Sequence, residues 1–207
     1  MRTIVYKLGG SLLDLPRLGE RLGRVVAADS DCQPLVVVGG GPIANIIRDW
    51  DAAHGLGEER AHWLALESLF VCEELVLSVT PGTRRVASRA EAEKAWAAGI
   101  VPVLSTAEFV RAEESEQSVA LPHSWDATSD SIAGWVATIW PADELILLKS
   151  TDLPVGVGIG EAAERGLVDR CFPAMSDTIS KVGWLNLRAA SSSLPVWLRT
   201  ASPRSIS

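Results

Sequence analysis

The sequence has few of the residues that build disulfide frameworks, metal centres or basic surfaces. Its 207 residues include only three cysteines, which lie far apart in the chain (Cys32, Cys72 and Cys171). Such a set predicts neither a disulfide framework nor a metal site, and it favours reduced thiols in a cytoplasmic protein. The net charge is −7 and the pI is about 5.0, which argues against general nucleic-acid binding.

Long apolar runs and a secretion signal are also missing. No run approaches the roughly 20 apolar residues of a membrane span. Arg2 is followed at once by a predicted strand rather than by the apolar core of a signal peptide. We therefore expect a cytoplasmic protein with no membrane partner and no nucleic-acid partner.

Hydrophobic residues, by contrast, make up 47% of the chain, which is enough for a full core. We predict one domain over residues 1–201, followed by a polar tail at residues 202–207. Eight tryptophans stand against one tyrosine, and most are expected to be anchors in the core or in an interface.

Apolar segments of strand length alternate with segments of helical periodicity. The predicted strands cover residues 2–8, 35–38, 100–104, 145–148 and 195–198. The predicted helices cover residues 12–28, 58–78, 88–98, 106–112, 129–140 and 175–190. A further predicted helix begins at residue 43. Residues 153–170 are expected to be mostly irregular. This alternation predicts an α/β protein built from right-handed βαβ units around a mainly parallel sheet.

Three of the predicted strands end in residues that suit phosphate chemistry. The first runs into Lys7-Leu8-Gly9-Gly10-Ser11, the second into Gly39-Gly40-Gly41, and the fourth into Lys149-Ser150-Thr151-Asp152. Glycine turns before a helix present backbone N–H groups to an anion, and ligands bind at the carboxyl ends of parallel strands. The simpler alternative is that these glycines only permit close packing.

Gly39 to Ala44 also fits the G-x-G-x-x-A form of a dinucleotide fingerprint, so an NAD-dependent oxidoreductase is a second alternative. That fingerprint normally follows the first strand, which here has its own Lys-Gly-Gly turn. No Walker A sequence is present, which argues against a P-loop kinase.

A polar segment, residues 123–131, precedes an apolar helix. Thr128 or Ser129 suits the N-cap and Asp130 the first turn, which explains these residues without function. In the functional interpretation, Asp130 orients the two lysines Lys7 and Lys181, and His123 contacts an acceptor phosphate. For Lys181, a solvated helix position is the alternative, and for His123 a structural role.

These motifs resemble, in their order, those of the amino acid kinase superfamily, which includes acetylglutamate, aspartate and uridylate kinases. The segment His123-Ser124-Trp125 ahead of Thr128-Ser129-Asp130-Ser131 is most similar to the aminomethylfuran-phosphate kinases of methanofuran biosynthesis. The resemblance covers most of residues 2–199. It implies a three-layer αβα sandwich that binds ATP and Mg²⁺ over the strand ends, and a homodimer or larger homo-oligomer.

The resemblance also implies roles for individual residues. Catalysis would fall to Lys7, Asp130 and Lys181, and nucleotide binding to Gly9, Gly10, Ser11, Lys149, Thr151 and Asp152. A small phosphoryl acceptor would contact Gly39, Gly40, Gly41, His123 and Asp126. No protein metal ligand is expected.

The sequence departs from the family pattern after Asp152 and lacks the glycine-rich turn before the second lysine. These departures fall where the adenine and ribose contacts are expected. The resemblance as a whole implies an ATP-dependent phosphotransferase acting on a phosphate monoester in one-carbon coenzyme synthesis. A non-catalytic nucleotide- or anion-binding protein on the same fold is the alternative.

Overall fold

The computed structural model describes residues 1–189 and 196–199. Within this part of the chain seven strands form one sheet, in the order β3-β4-β2-β1-β5-β6-β7. The strands are β1 (Arg2–Leu8), β2 (Cys32–Val38), β3 (Thr83–Val86), β4 (Val101–Leu104), β5 (Glu144–Lys149), β6 (Lys181–Asn186) and β7 (Val196–Arg199). The first six are parallel, and β7 pairs antiparallel with β6.

Helices cover both faces of the sheet. They are α1 (Leu18–Ala27), α2 (Gly41–His54), α3 (Glu58–Val79), α4 (Arg89–Ala97), α5 (Thr106–Glu113), α6 (Ser129–Ile139), α7 (Ile159–Glu164) and α8 (Phe172–Met175). Single 3₁₀ turns lie at Gly10–Leu12 and Glu114–Glu116. Among the described helices, none is both long and apolar enough to cross a membrane.

Two separate hydrophobic cores follow from the alternation of side chains along the strands. In β1, Val5 packs into the core that contains Trp135 of α6, whereas Tyr6 packs into the core that contains Leu22 of α1. The expected α/β class and αβα sandwich are therefore confirmed. The predicted tail at residues 202–207 lies outside the described residues.

One prediction for the second half of the chain is wrong. Residues 181–186 form strand β6 rather than part of a helix over 175–190, because Val182 and Trp184 alternate into the core beside β5. Residues 153–170 are mostly irregular as expected, and the short helix α7 lies within them, where Ile159 and Ala162 are buried.

Candidate active site

The predicted phosphate-binding turns meet at the centre of the sheet. The chain leaves β1 toward β2 on one side, and it leaves β5 toward β6 on the other, so a crevice opens beyond the carboxyl ends of β1 and β5. Ligands of open α/β sheets bind at such a switch point. The backbone N–H of Gly9 donates to Leu148 O (2.9 Å), and the N–H of Gly39 donates to Leu8 O (2.9 Å). The ends of β5, β1 and β2 are thus joined side by side.

Strand register places two lysines on the same face at this crevice. Lys7 pairs with Leu147 across the β1–β5 ladder, two residues before Lys149. Because side chains alternate, Lys7 shares a face with Val5, and Lys149 shares it with Leu147. Val5 and Leu147 belong to the core that packs against α6. Both lysines therefore point toward the beginning of α6.

The first turn of α6 supplies the carboxylate between these lysines. Asp130 Oδ1 lies 2.7 Å from Lys7 Nζ, and Asp130 Oδ2 lies 2.7 Å from Lys149 Nζ. The three side chains are 4%, 8% and 12% exposed for Lys7, Asp130 and Lys149 respectively. Lys149 Nζ also donates to Leu167 O (2.8 Å). We call Lys7, Asp130 and Lys149 the lysine–aspartate centre.

The pKa values of this centre follow from burial and from the excess of positive charge. Burial alone raises the pKa of Asp130, but the ammonium groups of Lys7 and Lys149 outweigh it and hold that pKa below its usual range. Burial, together with the charge of Lys7, lowers the pKa of Lys149 to about 8. Two buried cations share one carboxylate, so the centre carries a net positive charge that suits an anionic ligand.

The glycine turns pack against each other. A Cβ added to Gly10 would lie 2.0 Å from Gly41 N, and one added to Gly39 would lie 2.9 Å from Ser129 Oγ. Close packing therefore accounts for these glycines without a ligand, and their contact with phosphate stays a prediction. The packing nevertheless brings the beginnings of α2 and α6 together, and Ser11 Oγ donates to Ser150 Oγ (3.0 Å) across the crevice.

Lys181 is not in this site. It begins β6, pairs with Glu144 at the amino end of β5, and makes an ion pair with that carboxylate (3.1 Å). Asn186, at the other end of β6, pairs with Lys149. At the usual rise per residue of a strand, Lys181 lies about 16 Å from Asn186. The prediction that Lys181 shares Asp130 with Lys7 is wrong, and Lys149 occupies that position.

A mostly apolar cavity of about 150 Å³ lies beside the turns. Its lining includes Gly40, Gly41 and Ser129, and the other lining residues come from α2, α3, α6 and the segment before α6: Ala44, Asn45, Arg48, Glu58, His62, Ala65, Leu66, Leu69, Ser124, Trp125, Ala127, Thr128 and Ile132. The guanidinium carbon of Arg48 lies 4.6 Å from the centre of the Trp125 ring. We call this space the α2–α3 cavity.

His62, rather than His123, lines the α2–α3 cavity. His123 Nδ1 lies 2.5 Å from Glu59 Oε2 and its Nε2 lies 2.8 Å from Glu114 Oε1, so both ring nitrogens are occupied. These carboxylates outweigh the effect of burial and raise the pKa of His123. The His62 ring stacks on it at 4.1 Å, and burial together with the His123 charge lowers the pKa of His62 to about 4. A contact between His123 and an acceptor would have to replace one of these carboxylates, and it stays a prediction.

A second, more polar cavity of about 440 Å³ is the one that Asp130 itself lines. Lys149, Asp130 and residues 166–170 line it, and it shares Trp125 and Thr128 with the α2–α3 cavity. Asp126, expected to contact the acceptor, lines this second cavity instead, with its carboxylate 3.5 Å from Arg170. We call this space the β5–α7 cavity.

Thr151 and Asp152 follow β5 as expected, and both are hydrogen-bonded to residues of β6. The carbonyl of Thr151 accepts a hydrogen bond from Trp184 Nε1 (2.8 Å), and the Asp152 carboxylate accepts one from Asn186 Nδ2 (3.0 Å). Both residues are exposed beyond the carboxyl end of β5. The described residues hold no group of three or more His, Cys, Asp or Glu side chains that could bind a metal ion.

Comparison with known proteins identifies the family. The model of the amino acid kinase family matches residues 2–153, and the chain belongs to this family. The match ends where the sequence begins to depart from the family pattern. The superfamily resemblance is thereby confirmed, and family membership supports phosphotransferase activity. No curated protein matches the chain.

Solved structures show the same fold at low identity. The uridylate kinase of Archaeoglobus fulgidus is 21% identical over 73% of this chain and 64% of that chain, with a TM-score of 0.51. The UMP kinase of Ureaplasma parvum is 13% identical over 91% of each chain, with a TM-score of 0.60. The aspartate kinase of Synechocystis is 12% identical over 97% of this chain and 41% of that chain, with a TM-score of 0.61.

Proposed function

We propose that the protein is an ATP-dependent kinase that transfers the γ-phosphoryl group to a small phosphate monoester. The observation that carries this proposal is the lysine–aspartate centre at the switch point of the sheet, where Asp130 and Lys149 line the β5–α7 cavity and the neighbouring Ser129 lines the α2–α3 cavity. Phosphoryl transfer requires a nucleotide and an acceptor on either side of the moving group, with positive charge between them. The β5–α7 cavity suits the nucleotide and the α2–α3 cavity the acceptor.

The charge of the centre supports a role in transfer. A metaphosphate-like transition state spreads negative charge over the equatorial oxygens, and fixed ammonium groups stabilise it without reorganisation. Asp130 holds both lysines in place and leaves one positive charge unneutralised. The N-termini of α2 and α6 add partial positive charge beside the α2–α3 cavity.

The dimensions of the α2–α3 cavity favour an acceptor smaller than a nucleotide. An apolar cavity of about 150 Å³ holds a molecule about the size of benzene. Arg48 and Asn45, which hydrogen-bond to each other (3.0 Å), suit a phosphate at the mouth. A furan ring is about the size of benzene, so an acceptor of the aminomethylfuran-phosphate class would match this volume with its phosphate toward Arg48, consistent with a role in one-carbon coenzyme synthesis.

ATP fits the chemistry of the second cavity. Lys149 supplies charge for its phosphates and residues 166–170 form the far wall. Mg²⁺ commonly binds through substrate phosphates with one or two carboxylates, so the ion would be held chiefly by ATP. When bound, it neutralises charge on the β- and γ-phosphates.

A nucleotide-consumption assay with a panel of acceptors tests the proposal. We expect ADP release with furan- or benzyl-type methyl phosphates, and none with UMP, aspartate or acetylglutamate. Turnover with UMP would overturn the proposal that the acceptor is smaller than a nucleotide. A thermal shift with ATP but no turnover across the panel would favour the non-catalytic alternative, and a shift with NAD alone would favour an oxidoreductase.

Arg48→Ala is expected to raise the KM for the phosphate-bearing acceptor by about 10- to 100-fold, with a smaller effect on kcat. The reason is the loss of a charge-assisted hydrogen bond, which contributes about 1.5–3 kcal/mol. Steady-state kinetics with the acceptor varied will measure this change. Arg24→Ala is the matched control, because Arg24 pairs with Glu20 on α1. An unchanged acceptor KM in Arg48→Ala would remove Arg48 from the site.

The rate is expected to fall above about pH 8 as Lys149 loses its proton. Lys149→Arg should move this alkaline limb beyond about pH 10, since a guanidinium stays protonated there. Profiles of kcat/KM against pH will show the shift, even if the absolute rate is lower. Lys94→Arg, on the remote helix α4, should leave the limb in place. A limb that persists in Lys149→Arg would assign it to another group.

We also propose that the protein forms a homodimer or larger homo-oligomer and resides in the cytoplasm. Helix α3 supports self-association, because it displays an apolar row of which Val71, Leu75 and Val79 are 56%, 40% and 42% exposed. These positions are four residues apart and lie on one helix face. Light scattering of the purified protein will give the mass, and Leu75→Glu should lower it.

A further inference from the structure

Asp169 lies 38 residues beyond Ser131 in the chain, yet its carboxylate binds the beginning of α6. Oδ2 accepts hydrogen bonds from the backbone N–H of Thr128 (3.0 Å), the hydroxyl of Thr128 (3.0 Å) and the N–H of Ser131 (2.9 Å). Oδ1 accepts from the hydroxyl of Ser131 and from the N–H of Phe172 (3.0 Å). A carboxylate has about four lone-pair sites, so these five donors leave none for a substrate.

Helix α6 depends on this external carboxylate. The first N–H groups of any helix lack partners within the helix, and an N-cap side chain usually accepts from one of them. Thr128 stands at the N-cap of α6 but makes no side-chain cap hydrogen bond. Its hydroxyl donates to Asp169 instead, and Asp169 takes over the cap. The rotation and depth of the first turn are thus set from outside the helix.

That first turn carries Asp130. The segment with Asp169 also reaches the other side of the centre, because Leu167 O accepts a hydrogen bond from Lys149 Nζ (2.8 Å). A further hydrogen bond, from Cys171 N to Asp126 O (3.1 Å), joins the segment that contains Asp169 to the segment before α6. One short segment therefore fixes both the carboxylate and one of its lysines.

We propose that Asp169 is a positioning residue for the lysine–aspartate centre, which it controls through the first turn of α6. The inference rests on the proposed kinase function but concerns a residue that contacts neither lysine. A bound phosphoryl group requires both ammonium groups in fixed places, and small displacements of such groups cost large factors in rate. Through Asp169, the wall of the β5–α7 cavity is hydrogen-bonded to the turn that carries Asp130 of the lysine–aspartate centre.

Asp169→Asn tests the proposal, with Glu91→Gln as the matched control. Glu91 accepts the N–H of Ala87 (2.7 Å) at the beginning of α4, so this control also converts a capping carboxylate to an amide. We expect kcat to fall by about 10- to 100-fold in Asp169→Asn, with both KM values changed less than about three-fold. The alkaline limb should move to lower pH, since the Asp169 charge favours the protonated form of Lys149. Glu91→Gln should alter neither the rate nor the limb.

A crystal structure of Asp169→Asn gives a readout that does not need activity. At least one of the two Asp130–lysine distances, both 2.7 Å in the native protein, should lengthen beyond hydrogen-bond range. Unchanged distances, or thermal destabilisation equal to that of Glu91→Gln with native kcat, would overturn the proposal. If the native protein consumes no ATP with any acceptor, the proposed function fails, and the crystal structure still decides whether Asp169 positions Asp130.

Discussion

Replacing Lys7 with alanine is expected to abolish measurable turnover, a loss of about 100- to 1,000-fold or more, in a protein that stays folded. Lys7 is buried at the end of β1 with its ammonium group on Asp130. Its removal leaves Asp130 paired with Lys149, one charge against one, so the centre loses the net positive charge that a transferring phosphoryl group needs. The buried ion pair that remains is balanced, and we expect little loss of thermal stability.

Steady-state assays, circular dichroism and thermal melts will measure these effects. Lys181→Ala is the informative control, because Lys181 pairs with Glu144 at the opposite end of the sheet. That variant should keep its kcat. A Lys7→Ala protein with native kcat would remove Lys7 from the mechanism. Loss of activity in Lys181→Ala with a native melting curve would show that the second lysine had been misassigned to Lys149.

The central sheet could be predicted from the sequence because its strands are short apolar runs that end in glycine or lysine. Leu35 to Val38 and Leu145 to Leu148 are buried throughout and lie in β2 and β5. Strand β3 escaped prediction, since Thr83-Arg84-Arg85-Val86 is polar and lies at the edge of the sheet. Strand β6 was taken for a helix because periodicity separates the two poorly over six residues, and pairing with β5 decides the outcome.

Part of the candidate site could also be predicted, because parallel strands bring their carboxyl ends to one edge. Lys7 and Lys149 follow from this rule, and Asp130 follows from its place in the first turn of a helix. Which lysines Asp130 binds could not be predicted, since that depends on the faces and register of β1, β5 and β6. The sequence predicts Lys181 within a helix over residues 175–190, whereas the structure places it at the start of β6, about 16 Å along the strand from the end that pairs with Lys149.

The residues that prediction missed act through contacts between distant segments. His62 and His123 are alike in the sequence, and only the packing of α3 shows that the first lines the cavity while Glu59 and Glu114 hold the second. Asp169 carries no sequence signal, because the helix that it caps begins much earlier in the chain, at Ser129. The proposed kinase activity therefore depends on residues that the sequence motifs reveal and also on positioning residues, such as Asp169, that no motif reveals.

Asp130→Asn is expected to cost about 3–5 kcal/mol of stability and to lower kcat by at least about 100-fold. An amide cannot balance two ammonium groups, so the substitution leaves two buried like charges that now repel each other. Lys149, whose pKa already lies at about 8, should then lose its proton more readily. Denaturant titrations near neutral pH and steady-state assays will give the two quantities.

The pH dependence of stability gives an independent check. The pKa of Asp130 is held below its ordinary value of 3.8, so its carboxylate contributes stability above that value and loses it as the pH falls through the folded pKa. Asp130→Asn has no such carboxyl, and its stability should depend less on pH in this acidic range than that of the native protein. Equal acid dependence in the two proteins would contradict the ion-pair account.

A second substitution separates charge repulsion from a simple packing defect. Adding Lys7→Met to Asp130→Asn removes one of the two unbalanced cations while keeping most of the side-chain volume. We expect the double variant to recover at least half of the lost stability and none of the activity, because the stability loss comes from repulsion and the rate needs the cations. If the double variant is less stable than Asp130→Asn, the centre is held by packing and hydrogen bonds rather than by balanced charge. Recovery of stability without activity would assign the buried charges to phosphoryl transfer, with Asp130 as the group that makes their burial tolerable.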